Sequence, residues 1–320
     1  MAEVVVVGSF NVDHVWRCPQ LPEPGETRGG DYSTGPGGKG FNQATAAARA
    51  GAKTTFFCAL GADTGAQLAR TLAAADGIAL HDQCSDAPTG TAGIFVDAQG
   101  RNSIVMGAGA NATLSPGFVG GQRAIADAQV LLAQLESPLD AIACALTLAR
   151  AAGAVAILNP APADARTTPG LLALADILTP NESEFVALLA RHLDTQLGAA
   201  AVTGLDDANL HALARRLFSH GTLVLTLGAG GIFVSHAASN RRGDAADCYR
   251  LAAEPAQVVD TTGAGDACNG ALAASLVDRP DAPFAEHLRF ANRYAALSTE
   301  RAGAAIAMPR LAEVVARFGA

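Results

Sequence analysis

The sequence predicts an α/β protein of three layers, an open sheet with helices on both faces, carrying a small β lid. Two observations predict the layers. Short apolar runs rich in β-branched residues recur along the chain, and Ala- and Leu-rich stretches of helical length lie between them. A third observation predicts the lid: residues 12–34 and 91–106 break the alternation with strand-like pieces set among Gly and Pro.

The first run, "EVVVVG" at 3–8, is continuous and ends in Gly, the pattern of a parallel strand buried on both faces. The following runs are "TTFFCAL" (54–60), "VLLAQLE" (130–136), "AVAILN" (154–159), "DILTPN" (176–181) and "TLVLTLG" (222–228). Helix starts are expected at "SPG" (115) and "SPL" (137), each with Ser as N-cap and Pro at the first helical position. "AARAGA" ends a helix with Gly51 just past its last turn. The second lid region is expected to be a hairpin turning at "AQGRN" (98–102). No repeat, linker or low-complexity run divides the chain, so residues 1–320 are expected to form one domain with a lid.

Composition narrows the function. Half of the 320 residues are hydrophobic and the formal net charge is -8, without a dense Lys or Arg cluster, which argues against nucleic acid as a partner. The N-terminus lacks a basic start and a long apolar core, and no apolar stretch approaches the ~18 residues of a membrane span. A cytoplasmic protein is expected. Its six cysteines, Cys18, Cys58, Cys84, Cys144, Cys248 and Cys268, are scattered without metal-ligand spacing and are expected to be buried free thiols. The sequons at Asn111 and Asn181 then carry no meaning.

Three stretches carry chemistry. "GPGGKGFNQ" (35–43) contains the dinucleotide pattern G-x-G-x-x-G at Gly35, Gly37 and Gly40, with Asp63 at the distance of a ribose-binding acid. Its context is wrong, because the loop follows the polar "RGGDYST" and not the first buried strand. The Walker pattern fails too, since Gly40 follows Lys39. A loop opening a helix still permits close approach to a polar ligand, with Lys39 and Asn42 as donors; a plain Gly-rich turn is the alternative. "VVDTTGAGDACNGALAASL" (258–276) places Gly263, Ala264 and Gly265 at the start of an Ala-rich helix, where N–H groups and the helix dipole favour an anion. Asp266, next in line, is either a dipole partner or a base that takes a proton from an attacking hydroxyl. At "TPNESE", Asn181 is open to a reading as the cap of a following helix.

Taken together these stretches resemble the ribokinase family, the PfkB-type carbohydrate and nucleoside kinases. The resemblance runs nearly end to end through "GSFNVDH", "PEPGET", "GPGGKGFNQA", "GANATLS", "QLESPL", "LNPAPA", "TPNESE", "LTLGAGG", "VDTTGAGDACNGAL" and "ERAGAAIAMP". It implies a ribokinase-like fold and an ATP-dependent sugar kinase using magnesium, with D-ribose phosphorylated at its primary hydroxyl. Other members of the family, acting on a ketose, a deoxysugar, 2-keto-3-deoxygluconate or a nucleoside, are the alternative. A sugar-binding regulator that has lost catalysis is disfavoured by intact Asp266, Gly263, Gly265 and Asn181.

The resemblance also implies roles. Asn11, Asp13, Gly38, Lys39, Asn42 and Glu136 match the sugar-contacting residues, Asp266 the catalytic base, and Gly263 to Gly265 the anion hole. Asn181 and Glu184 match a box that positions magnesium and phosphates through water. Thr226, Gly228 and Gly231 match the nucleotide-side loop, with Asn292 near the adenine. Asp260 and the backbone of Thr262, Ser298, Arg301 and Gly303 match a site for an activating potassium ion, where Ala307 replaces the usual Ser. Lid strands that pair between subunits imply a homodimer, with Val15 and Trp16 as interface candidates. Residues 191–210 exceed the family pattern and receive no functional account.

Overall fold

A computed structural model describes residues 4–319, so Glu3 of the expected first strand lies outside the described residues. In chain order the strands are β1 (Val4–Val7), β2 (Asn11–Arg17), β3 (Asp31–Gly37), β4 (Thr54–Leu60), β5 (Ala79–Cys84), β6 (Gly90–Val96), β7 (Asn102–Gly107), β8 (Val130–Ala133), β9 (Val155–Leu158), β10 (Ile177–Leu178), β11 (Thr222–Thr226), β12 (Ile232–Ser235) and β13 (Cys248–Leu251). The α-helices are α1 (Lys39–Arg49), α2 (Thr64–Ala75), α3 (Pro116–Gly120), α4 (Arg123–Ala126), α5 (Leu139–Ala151), α6 (Pro169–Leu172), α7 (Glu182–Leu193), α8 (Ala199–Val202), α9 (Asp207–Leu217), α10 (Ala264–Asp278), α11 (Phe284–Ser298) and α12 (Leu311–Phe318).

Nine strands form the main sheet in the order β13-β12-β11-β10-β9-β8-β1-β4-β5. The pairs from β11 to β5 are parallel, and β12 and β13 add an antiparallel edge. Alternation along the central strands splits the core in two. Val5, Val7, Phe57 and Ala59 face one apolar layer with α5, α7 and α9, whereas Val4, Val6, Phe56 and Cys58 face the other with α1, α2, α10 and α11. These are the three layers that the buried runs imply. Among the described residues no helix is long and apolar enough to cross a membrane.

A separate four-stranded sheet, β3-β2-β6-β7, is made from the two expected lid regions. Its β6–β7 hairpin turns where "AQGRN" predicts. The Asp97 carboxylate shapes the turn by accepting the backbone N–H groups of Gln99 and Arg101, both at 2.9 Å.

Several expectations need correction. The run at 130–136 leaves the ladder after Ala133, because Gln134 and Glu136 are polar groups committed elsewhere. The run at 176–181 forms a continuous ladder only at Ile177 and Leu178, with an isolated bridge from Asn181 to Thr226, since Pro180 has no N–H to donate and Asn181 caps α7. Strands β5 and β13 form the sheet's edges and carry polar residues, and the apolar run of β12, Ile232–Val234, is only three residues long. Ser115 caps α3 as expected, accepting from Phe118 N at 3.1 Å. Ser137 does not cap α5: Pro138 holds the N-cap position and the Ser137 hydroxyl is buried without a partner. All six cysteines are free, but only Cys58 and Cys268 are buried; Cys84 is exposed and the others are partly covered. Residues 191–210 contain the end of α7, all of α8 and the start of α9.

Candidate active site

The site gathers where β1, β8, β9 and β11 end and where α1, α7 and α10 begin. It is centred on Asp266. This carboxylate sits in the first turn of α10, 7 % exposed, with Oδ2 accepting Asn42 Nδ2 and Oδ1 accepting Gln43 Nε2, both at 2.9 Å. Both amides come from the first turns of α1, so the two helices must cross closely. Gly270 permits it: a Cβ there would lie 2.5 Å from both Gln43 O and Ala46 Cβ. Burial raises the Asp266 carboxyl above the usual range, opposed by Lys39 and by its two amide donors.

Around it lies a network that motif reading missed. Gln43 Nε2 also reaches Asn159 Oδ1 (3.1 Å), and Gln134 Nε2 donates to Gln43 Oε1 (2.5 Å). Asn159 Nδ2 donates to Thr179 O, Thr179 Oγ1 to Asn269 Oδ1, and Asn269 Nδ2 back to Gly265 O. One signal was available in the sequence: a Gln inside the apolar run "VLLAQLE" must find partners if that run is buried. Asn42 Oδ1 remains buried and unpartnered, an acceptor left over for a hydroxyl.

Gly263 precedes α10 at φ 76°, a left-handed conformation that a side chain resists, and its Cα faces Ala304. The first-turn N–H groups of a helix have no partner within it. The Ala264 N–H is turned toward Thr261 O at 3.2 Å, leaving the N–H groups nearer Asp266 as the open ones. Lys39, Asn181, Glu184, Thr226, Gly263, Ala264, Gly265 and Asp266 all line one polar cavity of about 140 Å³. Burial by itself would lower the Lys39 ammonium, but the nearby Asp266, Glu136 and Glu184 outweigh it and Lys39 titrates above its ordinary value. The cavity therefore holds one firm cation among carboxylates.

Asn181 and Glu184 form a reciprocal capping box on α7: Glu184 N donates to Asn181 Oδ1 and Asn181 N to Glu184 Oε2, each at 2.9 Å. The helix-cap reading of Asn181 is thus correct, and the box still faces the cavity. Burial raises the Glu184 carboxyl against the lowering pull of Asn181 and Lys39.

The lid side meets this cavity through Glu136, whose Oε2 accepts Ser9 Oγ (2.5 Å) and Lys39 N (2.9 Å). Gly38 is the N-cap of α1. Asn11 and Asp13 lie two apart on β2 and so share a face of the lid sheet. Asn11 Oδ1 accepts Asn111 Nδ2 at 2.8 Å, and Asn111 is anchored in turn on the Phe10 backbone. Asp13 is pushed up to about 7, chiefly by burial and further by Glu136. The loop at 35–43 thus follows a lid strand rather than the first core strand, and Asp63 caps α2 and binds Thr89, which removes the dinucleotide reading.

Some expected residues lie apart. Gly228 and Gly231 belong to a short 3-10 turn outside the lining of the Asp266 cavity, and Asn292 donates to Ala252 O at 2.7 Å. Asp260 accepts Thr262 N (2.9 Å) and Gly303 N (3.0 Å), clasping two loops, and these bonds outweigh burial to hold its carboxyl below the usual range. Ser298 Oγ turns to Ala295 O and the Arg301 guanidinium to Glu313, while Thr299 O accepts the Val259 and Asp260 N–H groups. Trp16 stacks on Phe95 at 5.2 Å and is half-buried, while Tyr32, Ile104, Val105 and Met106 are the exposed apolar groups of the lid.

Residues 1–311 match the model of the pfkB family of carbohydrate kinases. The ribokinase of Haemophilus influenzae is 37 % identical over 317 residues, spanning 98 % of this chain and 97 % of that protein. Among solved structures, the ribokinase from Giardia lamblia superposes with a TM-score of 0.87 at 27 % identity, covering 99 % of this chain and 100 % of its own. The Arabidopsis thaliana ribokinase complexed with ribose and ATP superposes with a TM-score of 0.79 at 29 % identity, covering 99 % and 98 %.

Proposed function

Since the chain belongs to the pfkB family of carbohydrate kinases, we propose that it is an ATP-dependent ribose kinase, converting D-ribose and ATP to D-ribose 5-phosphate and ADP. The observation that carries the reading is the buried Asp266 carboxylate at the start of α10, its oxygens aimed by Asn42 and Gln43 beside the open N–H groups of the helix end.

Asp266 takes the proton from the 5-hydroxyl as that oxygen attacks the γ-phosphorus, and the bond from the γ-phosphorus to the β–γ bridging oxygen breaks to release ADP. A carboxyl raised by burial is a stronger base for this transfer than a solvated one. The N–H groups after Gly263, with Lys39, oppose the charge that builds on the transferred group. Asn11, Asp13, Gly38, Lys39, Asn42 and Glu136 surround the sugar. A site that commits polar atoms to hydroxyls rejects sugars lacking them.

The oxygen donors Glu184, Asn181 and Thr226 on the cavity wall fit a magnesium ion that keeps most of its waters. Bound there with ATP, it would neutralise phosphate charge. Thr226, Gly228, Gly231 and Asn292 form the nucleotide side. The loops clasped by Asp260 fit a potassium ion held by backbone carbonyls around Thr262, Ser298, Arg301 and Gly303. The exposed apolar groups of the lid support a homodimer through that sheet, and six free thiols suit the reducing cytoplasm.

The test is ADP release with ATP and magnesium across ribose, 2-deoxyribose, fructose, 2-keto-3-deoxygluconate, adenosine and inosine. The largest kcat/KM is expected for ribose. A larger value for another substrate overturns the sugar assignment, and ribose binding without turnover overturns the kinase.

A further inference from the structure

A second cavity, about 300 Å³, lies at the opposite end of the central strands from Asp266. Val130 and Val155, the first residues of β8 and β9, form part of its wall, whereas the candidate active site sits beyond the last residues of those strands. Among the described residues no Asp or Glu lines it, and its one permanently charged group is Arg242, with Gln129, Asn240 and His287 around it.

The state of Arg242 is unusual for an arginine. Its Nε is buried and has no hydrogen-bond partner, Nη2 reaches only the Asp176 carbonyl at 3.4 Å, and the guanidinium stands over the Phe284 ring at 6.0 Å. It forms no ion pair among the described residues. Two nearby carboxylates are already engaged: Asp176 accepts Ala156 N, and Asp244 accepts His236, Tyr249 and the Ala285 N–H. Burial accordingly lowers the Arg242 guanidinium below its usual value, with Asp176 only partly compensating. A guanidinium partly withdrawn from water, as that of the half-buried Arg242 is, normally takes a carboxylate or phosphate partner, because a poorly paired charge away from water is costly.

The backbone is built to hold the group there. Arg242 has φ 51°, a left-handed conformation unfavourable for a residue with a side chain, and Gly243 follows at φ 84°. Asn240 Oδ1 accepts Arg242 N at 3.0 Å, and Arg242 O accepts Phe284 N at 3.1 Å, so both neighbours of the cavity fix the turn. With its Oδ1 engaged in this way, Asn240 has its Nδ2 donors left for a ligand. His287 is bonded through Nδ1 to Ser275, and burial keeps it neutral at neutral pH, so it adds no second charge.

We propose that this cavity is a binding site for a small oxyanion, the carboxylate or phosphate group of a metabolite, with Arg242 as its charged anchor and Gln129 and Asn240 as neutral donors. The site lies outside the machinery assigned to phosphoryl transfer. Leu276 and Ser275, near the end of α10, adjoin it, and Asp266 sits in the first turn of the same helix, roughly 15 Å away at 1.5 Å per residue. An anion held here therefore touches the element that carries the base.

The experiment is isothermal titration calorimetry of the full chain with inorganic phosphate and, separately, malonate, on wild type, Arg242→Gln and Arg242→Lys. Expected is at least a tenfold weaker Kd in Arg242→Gln for one of the anions, with Arg242→Lys intermediate; the anion affected identifies the source chemistry. Equal affinities in all three proteins overturn the proposal. Should Arg242→Gln fail to fold, wild-type crystals soaked in selenate decide: an anomalous peak in contact with the guanidinium supports the site, and an empty cavity overturns it.

Discussion

Asp13→Asn separates the electrostatics of the sugar side from the rest of the molecule. Asp13 shares its surroundings with Glu136, and burial with that second carboxylate moves it from 3.8 to about 7. Because the folded-state value is raised, the neutral carboxyl favours the fold fully below about pH 4, and the advantage is lost as pH rises toward 7. At 1.36 kcal/mol per pH unit the whole loss is about 4 kcal/mol, of which about 2.5 kcal/mol falls between pH 5 and pH 8. Screening at this partly exposed position trims the difference to about 1–3 kcal/mol. Urea denaturation of both proteins at several pH values reads it directly: wild type should lose that much relative to Asp13→Asn across the window. In the same samples the ribose KM of wild type should fall as pH rises through 7, since an ionised carboxylate accepts sugar hydroxyls, and the variant's high KM should be flat. Parallel stability slopes for the two proteins would refute the reasoning, whatever the kinetics show.

Asp266→Asn should lower kcat by about 10²–10⁴-fold while ribose Kd, measured calorimetrically, stays within a few-fold; near-normal turnover would remove Asp266 as the base. Gly270→Ala exchanges a poor helix former for the best one, yet its Cβ would lie 2.5 Å from Gln43 O, so thermal unfolding should show destabilisation and kcat should drop; a stabilised, fully active variant would show that the crossing of α1 and α10 does not set the site. Arg49 grips Asp76 through Nε at 3.0 Å and Met308 O through Nη1 at 2.9 Å, tying α1 to the loop after Ala304 that backs Gly263. Arg49→Met should cost about 2–3 kcal/mol in urea denaturation, and an unchanged midpoint would mean the loop is held by packing alone. Adding potassium at constant ionic strength should raise kcat, and Asp260→Ala should abolish that response; activation that survives in the variant would place the cation elsewhere.

Much of the fold was legible because it rests on local patterns. A four-valine run can be satisfied only inside a sheet covered on both faces, and β1 lies there with every residue buried. The hairpin between β6 and β7 was readable from its turn residues. Strands β5 and β13 escaped because a sheet's edge strands are not buried on both faces, and an edge segment such as "ALHDQC" carries no run to detect. Ser137 looked like a cap on composition, but Pro138 takes the cap position and the hydroxyl is stranded beneath it.

For the site, the sequence by itself determined the chemical cast: the glycines before α10, Asp266 immediately after them, Lys39 and Asn42 at the start of α1, and the Asn-x-x-Glu spacing that closes a capping box within one helical turn. These signals are local, with partners a few residues apart, so spacing alone exposes them. What only the tertiary structure decided is which of these groups meet. Asp266 is held by Asn42 and Gln43 across more than two hundred residues, and Glu136 joins Ser9 to the Lys39 backbone across about a hundred. The polar chain from Gln134 to Asn269 exists only because strand ends and helix starts converge at one end of the central strands. The raised Asp13 and Asp266 carboxyls and the unpaired Arg242 guanidinium likewise follow from burial and from distant neighbours, quantities that a linear sequence does not contain.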